Sequence, residues 1–382
     1  MGGRGLRIGI DARAVSYAKT GDRSYTLGLI DGLARLSEIG ETAHEFVLFF
    51  DREPPPELPC IRNGELAPEW DVQTLSAAHP RLWTLTSLPR AARRLGVDVL
   101  HVQYNGPRVR DPALVTTVHD VSFRLFPEWF SLKDRLVLDL GLRSTLSVAR
   151  HVFAVSECTR EDIAEVYGVD EQQISVTYNA LPPGFEPPES GDVESTLERH
   201  GVARPYVVFV GVRQPRKNLP RAIRAFSAAK AERGLSHRLV LVGKRGWQAS
   251  ETERMIEDAG EDVQSIGYVP DCDLPALYAG ADLLLFPSLY EGFGIPVLEA
   301  FACGTPVVTS DVSALPEVAG DAAVLVDPCD ESAIADGVQR VLDDAALREE
   351  LVKCGQRRVR QFDWLETARR TVKGYERAVA RS

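Results

Sequence analysis

Short apolar runs separated by longer helical patterns recur along this chain. In the first half, Leu6–Ile10, Phe46–Phe50, Val97–Val102, Leu114–Val118, Val152–Val155 and Ile174–Tyr178 are runs of strand length. Tyr25–Leu36, Leu132–Ala149 and Thr159–Tyr167 repeat their apolar residues at helical spacing. This alternation predicts βαβ units and a parallel sheet, the α/β class. Residues 51–80 are rich in proline and poor in periodicity, so an irregular insertion is expected there.

The pattern breaks near residue 181, where Leu-Pro-Pro-Gly-Phe-Glu-Pro-Pro-Glu-Ser-Gly concentrates turn formers. It restarts with strands expected at Tyr206–Val210, Leu239–Val242, Val263–Ile266, Leu283–Phe286, Val307–Thr309 and Ala323–Val326. The helices expected between them are Pro220–Ala231, Thr252–Ala259, Leu274–Tyr278, Pro296–Ala302 and Glu331–Leu342. The reading is two Rossmann-like domains, 1–180 and 204–363, joined by a linker at 181–203 and facing each other across a ligand cleft. The amphipathic stretch 364–382 is expected to be a helix that closes the second domain or crosses back to the first.

Composition narrows the class. The chain has 382 residues, 44% hydrophobic and 26% charged, a soluble globular balance. Its 55 acidic against 44 basic side chains give a net charge of −11, which disfavours nucleic acid as a partner. The six cysteines are scattered without a C-x-x-C pair, so neither a zinc site nor a disulfide framework is signalled. The opening residues lack the apolar core of a secretion signal, and no apolar run approaches the ~20 residues of a membrane span. A cytoplasmic protein is expected, touching the inner face of a membrane at most weakly. The segment Phe126–Lys133 is the one offered for such a contact, with a packed helix start as the favoured reading.

Two segments carry chemistry. The first is Phe286-Pro-Ser-Leu-Tyr-Glu-Gly-Phe-Gly-Ile-Pro-Val-Leu-Glu, running from a strand through a glycine loop into a helix. Gly292 and Gly294 let backbone approach a ligand closely. Pro296 suits the first helical turn, whose free N–H groups favour an anion. Glu291 and Glu299, eight residues apart, can each accept a pair of hydroxyl hydrogen bonds, one on a sugar and one on a ribose. The second is Val210-Gly-Val-Arg-Gln-Pro-Arg-Lys-Asn, another strand-to-helix turn, with Asn218 expected as N-cap. Arg216 and Lys217 suit a diphosphate whose charge grows as it leaves, and Arg213 is a weaker candidate. The triplet Asp271-Cys-Asp273 has metal-ligand spacing, but N-capping of the next helix is the preferred reading, and no metal is expected.

Together these segments resemble the retaining glycosyltransferases of family four, which have the GT-B fold. Glu291 and Glu299 match the family's E-x7-E motif, and Arg216-Lys217-Asn218 its R-K-N motif. Gly267-Tyr268-Val269 followed by Leu274-Pro-Ala-Leu-Tyr resembles its nucleobase-side loop and helix. Val118-His119-Asp120 and Ser156-Glu-Cys-Thr-Arg-Glu-Asp resemble its first-domain pattern. Val212 and Asn179-Ala-Leu-Pro-Pro-Gly depart from it.

The resemblance implies roles. Arg216 and Lys217 would bind the donor diphosphate, Glu299 the ribose and Glu291 the transferred sugar. Backbone around Gly211, Tyr268, Val269, Gly292, Phe293, Gly294 and Ile295 would line the donor, with Gly21 near the diphosphate on the loop Lys19-Thr20-Gly21. His119 would face the sugar from the first domain. The implied reaction is retaining transfer of a hexose from a nucleotide sugar to a saccharide, lipid-linked or small-molecule hydroxyl, without metal or cofactor. GDP-mannose is the first expectation for the donor and UDP-glucose the second. The alternatives are a GT-B sugar-nucleotide epimerase and a non-catalytic nucleotide-sugar-binding protein.

Overall fold

A computed structural model describes residues 5–380 apart from 18–20, 63, 78, 80–81 and 247–249. The chain forms two units, one of residues up to Pro183 plus those from Asp363 onward, the other Gly184–Phe362.

In the first unit seven parallel strands lie in the order Trp70–Thr74, Glu45–Phe50, Arg7–Asp11, Val99–Gln103, Ala113–Val118, His151–Ala154 and Ile174–Val176. Ile8 stands between Phe46 and Val99 in register. Ala113–Val118 is buried at all six positions, as a strand covered on both faces must be. The stretch expected to be irregular contributes the edge strand Trp70–Thr74, and Trp70 stacks on Phe46 at 4.6 Å. Prolines before it hid a strand only five residues long.

The second unit has six parallel strands in the order Val263–Gly267, Arg238–Val242, Tyr206–Val210, Leu283–Phe286, Val307–Ser310 and Val324–Val326. Its core includes Val207, Phe209, Leu241 and Leu285 against Phe226 and Val338 from the helices. Within the stretch 181–203, Ser190–His200 is a helix that packs on helix Leu274–Ala279 of this same unit.

The helix Trp364–Ala380 lies along helix Gly21–Glu38 in the first unit. Gly28 and Gly32 make room for it: a β-carbon on Gly28 would stand 1.9 Å from the Trp364 ring, and one on Gly32 2.1 Å from the Trp364 carbonyl. The indole Nε1–H donates to the Leu181 carbonyl at 2.7 Å.

In both sheets the first strand has its neighbours arriving from opposite chain directions. Ligands of open α/β sheets bind beyond the carboxyl ends of strands at this switch point. Among the described residues no helix is long and apolar enough to cross a membrane.

Candidate active site

In the second unit the switch-point strand Tyr206–Val210 runs into Gly211 and then a single 3-10 turn, Pro215–Lys217. Its neighbour Leu283–Phe286 runs into the Ser288–Gly294 loop. The two loops are stitched together, since the Leu289 N–H donates to the Arg216 carbonyl at 2.8 Å. Asn218 follows in a left-handed conformation (φ 58°). Its side chain does not cap the helix Leu219–Arg233, contrary to the sequence expectation. The left-handed backbone turns the amide away, and Nδ2 donates instead to the carbonyls of Pro287 and Pro328 at 3.0 and 2.7 Å. Asn218 thus clamps three loops at the strand ends.

The turn delivers both cations to one carboxylate. Lys217 Nζ reaches Glu291 Oε1 at 2.6 Å, and Arg216 Nη1 donates to Glu291 Oε2. Lys217 is 6% exposed and Glu291 5%. The Lys217 ammonium also sits over the Phe286 ring, 4.4 Å from its centroid. Packing beneath Gly211 and against Phe286 buries Lys217. A β-carbon on Gly211 would come within 3.3 Å of the Lys217 chain.

Burial alone would raise the Glu291 pKa, but Arg216 and Lys217 outweigh it and hold it at about 2. Burial pushes Lys217 down to about 8, with Arg216 adding to the push and Glu291 opposing it. The Glu291 carboxylate faces two cations, while Lys217 also feels the Glu299 carboxylate.

Gly294 (φ 113°) precedes helix Ile295–Ala302, with Pro296 in the first turn. A β-carbon there would meet Leu315 at 2.8 Å, so glycine is required on both counts. Glu299, on this helix, is 3% exposed and accepts from the Tyr278 hydroxyl at 2.8 Å. Glu291 is held at the backbone too, its N–H donating to Ser313 Oγ at 3.0 Å. Sequence reasoning missed Ser313 and did not assign Tyr278 a partner. The run Ser313-Ala-Leu-Pro, with a serine just before a helix start, was the available signal for the former.

The nucleobase-side candidates differ from each other. Val269 is buried, while Tyr268 is 53% exposed with Lys244 over its ring at 4.6 Å. Phe293 is buried edge-on against Phe362. Arg213 turns aside, to Ser265 Oγ at 2.5 Å and Glu253 at 3.2 Å. Asp273 does not cap its helix either. Its carboxylate takes Arg199 Nη1 at 2.6 Å and lies 2.8 Å from His200 Nε2, and a charge-assisted bond outcompetes one to a neutral backbone N–H.

His119 and Gly21 belong to the first unit. His119 follows strand Ala113–Val118, and its Nε2 lies 2.8 Å from Gln103 Oε1. Gln103 Nε2 donates to Thr26 Oγ1 at 2.5 Å. The Tyr25 ring stands edge-on to the imidazole at 4.9 Å, with Asp22 Oδ1 3.7 Å from Nε2. Burial holds the imidazole below its usual pKa against the pull of Asp22 and Asp120. Gly21 is the first residue of helix Gly21–Glu38; Lys19 and Thr20 lie outside the described residues. A pocket of about 170 Å³ opens nearby, lined by Asp11, Arg13, Ala14, Tyr17, Asp22 and Gln103. Sequence reasoning missed it, although Asp11-Ala-Arg13 directly follows the first strand.

A profile described as "Glycosyl transferases group 1" matches residues 196–358, and one described as "Glycosyltransferase Family 4" matches residues 24–185. The O-antigen chain mannosyltransferase B of Escherichia coli is 30% identical over 395 residues, covering 97% of this chain and 100% of that one. The chain belongs to glycosyltransferase family 4. This glycosyltransferase has the GT-B fold, as solved structures show. Sucrose-phosphate synthase of Thermosynechococcus elongatus aligns over 99% of this chain and 100% of that one, at a TM-score of 0.72 and 22% identity. Anabaena HepE in complex with UDP-glucose aligns over 96% and 98%, at 0.71 and 19%.

Proposed function

We propose that this glycosyltransferase moves a hexose from a nucleotide-sugar donor to an acceptor hydroxyl with retention at the anomeric carbon, mannose from GDP-mannose before glucose from UDP-glucose. The mannose reading leans on the Escherichia coli relative's name, and the UDP-glucose reading on the HepE complex. The acceptor is a saccharide, lipid-linked or small-molecule hydroxyl, and the reaction proceeds inside the cell.

The observation that carries the proposal is the Arg216–Lys217–Glu291 cluster at the switch point, with Lys217 and Glu291 buried and Arg216 partly exposed. Two cations against one carboxylate leave a surplus positive charge where a diphosphate would arrive. The diphosphate takes over Arg216 and Lys217, and Glu291 is released to accept hydrogen bonds from the sugar hydroxyls. Glu299, already ordered by Tyr278, accepts from the ribose. Backbone of Gly211, Gly292, Phe293, Gly294 and Ile295 lines the diphosphate and sugar, and Tyr268 and Val269 flank the base. His119, its imidazole held below the usual pKa by burial, is the first unit's hydrogen-bonding group for the sugar, and Gly21 lies near the diphosphate. The leaving diphosphate deprotonates the acceptor on the same face, its charge met by Arg216 and Lys217 without a metal ion.

A panel of nucleotide sugars in a thermal-shift assay tests the donor, because a ligand of the folded state raises Tm. GDP-mannose should give the largest shift. Product stereochemistry by NMR then tests retention, and inversion would overturn it. Turnover in excess EDTA should equal that with Mg²⁺ or Mn²⁺; loss that either ion restores would remove the metal-free reading.

A further inference from the structure

Four buried polar side chains form one hydrogen-bonded line through the first unit. It starts on helix Trp364–Ala380 at Tyr375, whose hydroxyl lies 2.7 Å from Nδ1 of His101 on strand Val99–Gln103. His101 Nε2 lies 2.8 Å from Thr117 Oγ1 on the next strand, and Thr117 Oγ1 lies 2.7 Å from the Tyr25 hydroxyl on helix Gly21–Glu38. None of the four is more than 2% exposed. The Tyr25 ring in turn stands edge-on to His119, which follows Thr117 by two residues at the same strand end.

The line has a direction at its start. Burial, with His119 adding to the push, lowers His101 to about 3, so its ring carries one proton. With a partner on each nitrogen, the ring accepts at one and donates at the other. Burial holds Tyr375 well above its usual pKa, so the hydroxyl keeps its hydrogen, and among the described residues His101 is its one hydrogen-bond partner. The hydroxyl therefore donates to Nδ1, the ring proton sits on Nε2, and Thr117 accepts it.

Apolar side chains would fill this space without the cost of desolvating four polar groups. A buried polar line bonded at each step fixes one arrangement of the groups that make it. We propose that Tyr375 is a positioning residue for His119: through His101 and Thr117 it fixes the Tyr25 ring, and that ring fixes the imidazole. Gln103, which faces Thr117 in register, holds the same imidazole at Nε2. The inference rests on the reading of His119 as the first unit's contact to the sugar.

The test uses the full chain with isotope-labelled histidine. In the wild type His101 should give the NMR pattern of an imidazole protonated on Nε2. Tyr375→Phe removes the hydroxyl and keeps the ring. It should shift or broaden the ring signals of both His101 and His119, and leave those of His200 and His237 in place. Tyr25→Phe, which breaks the line at its other end, should perturb His119 likewise. In turnover of GDP-mannose or UDP-glucose, transfer to water included, Tyr375→Phe should lower kcat about three- to tenfold with KM little changed. Affinity for free nucleoside diphosphate should stay the same. In a His119→Ala background Tyr375→Phe should cost nothing more, because both act through one ring. Unchanged His119 signals in Tyr375→Phe, or full additivity with His119→Ala, would overturn the proposal. A wild-type kcat in Tyr375→Phe beside a slow His119→Ala would overturn it alone, whereas wild-type rates in both would take the sugar role of His119 with it. Turnover of neither sugar nucleotide would remove the donor reading and leave the NMR comparison to decide this one.

Discussion

The strand-end sites of the two units solve the same problem differently. In the first unit Arg13 folds back onto Asp11, two residues earlier, with Nε at 2.9 Å and Nη2 at 2.7 Å, and lies over the Trp83 ring at 3.9 Å. The imidazole beside them is held below its usual pKa by burial and bonded to an amide. In the second unit the carboxylate and its cations come from loops 74 residues apart in sequence. A local pair closes on itself and is indifferent to ligand. A pair assembled from two loops exists only because the fold brings them together, and an incoming anion can repartition it. The lesson is that the second unit stores charge for a ligand, whereas the first stores hydrogen-bond geometry.

The largest effect that could break this contrast comes from Lys217→Ala. If Lys217 meets the leaving diphosphate, kcat/KM should fall by ~2–4 kcal/mol of transition-state stabilisation. Because the ammonium is buried on Glu291, Tm should fall as well. Near-normal turnover in a folded variant would return Lys217 to a purely structural pair. Arg13→Ala should leave the affinity for free nucleoside diphosphate unchanged.

The glutamates come next. Glu299→Ala should weaken both the nucleotide sugar and the free diphosphate by ~1–3 kcal/mol, the cost of a missing buried partner. Glu291→Ala frees both cations, so free diphosphate should bind at least as tightly while transfer drops sharply. Calorimetry with both ligands decides, and equal losses of diphosphate affinity would show the roles to be misassigned.

A pH series sharpens the contrast further. Lys217, at about 8 in the free protein, must be protonated to hold the diphosphate. Nucleotide-sugar affinity should be flat below pH 8 and weaken above it, by up to tenfold per unit. Glu291 acts on stability in the opposite range. Its pKa of about 2, against 4.5 ordinarily, gives stability that is present above pH 4.5 and lost as pH falls toward 2. Glu291→Gln should flatten that acid limb in a melting series. His119 is held below its ordinary pKa by burial, so any step it gives in donor affinity should lie below pH 6.5.

The smallest effect expected is at Gln103. Gln103→Leu removes the partner of His119 Nε2 and should cost transfer about 1 kcal/mol without touching free-diphosphate affinity. A loss of diphosphate affinity there would blur the division of labour between the units.

Patterning made most of the architecture readable, because parallel strands buried on both faces leave near-continuous apolar runs such as Tyr206–Val210 and Leu283–Phe286. Trp70–Thr74 escaped because an edge strand needs little apolar length. Helix Ala345–Val359 escaped because only a narrow side of it is buried, at Leu351, Cys354 and Gly355. The glycine loop and the two glutamates were legible, since only glycine tolerates the backbone at 294. What sequence could not convey was which groups pair. Asn218 and Asp273 both stand at helix starts, and both spend their side chains on distant partners rather than on caps. Nor does spacing reveal that Arg216 and Lys217 converge on a single carboxylate.

The helix Trp364–Ala380 has a consequence for biosynthesis. On the ribosome, residues up to Pro183 emerge first, yet the groove at Gly28 and Gly32 stays uncovered until everything through Phe362 has been made. The second unit is continuous and can fold as it leaves the exit tunnel. The first must wait, with Tyr25 and Leu29 near an open groove, for helix Trp364–Ala380 to arrive. A stall or early stop anywhere after residue 183 would therefore leave the first unit unfinished, an exposed client for chaperones and proteases. The first unit is thus complete only once helix Trp364–Ala380 has been made.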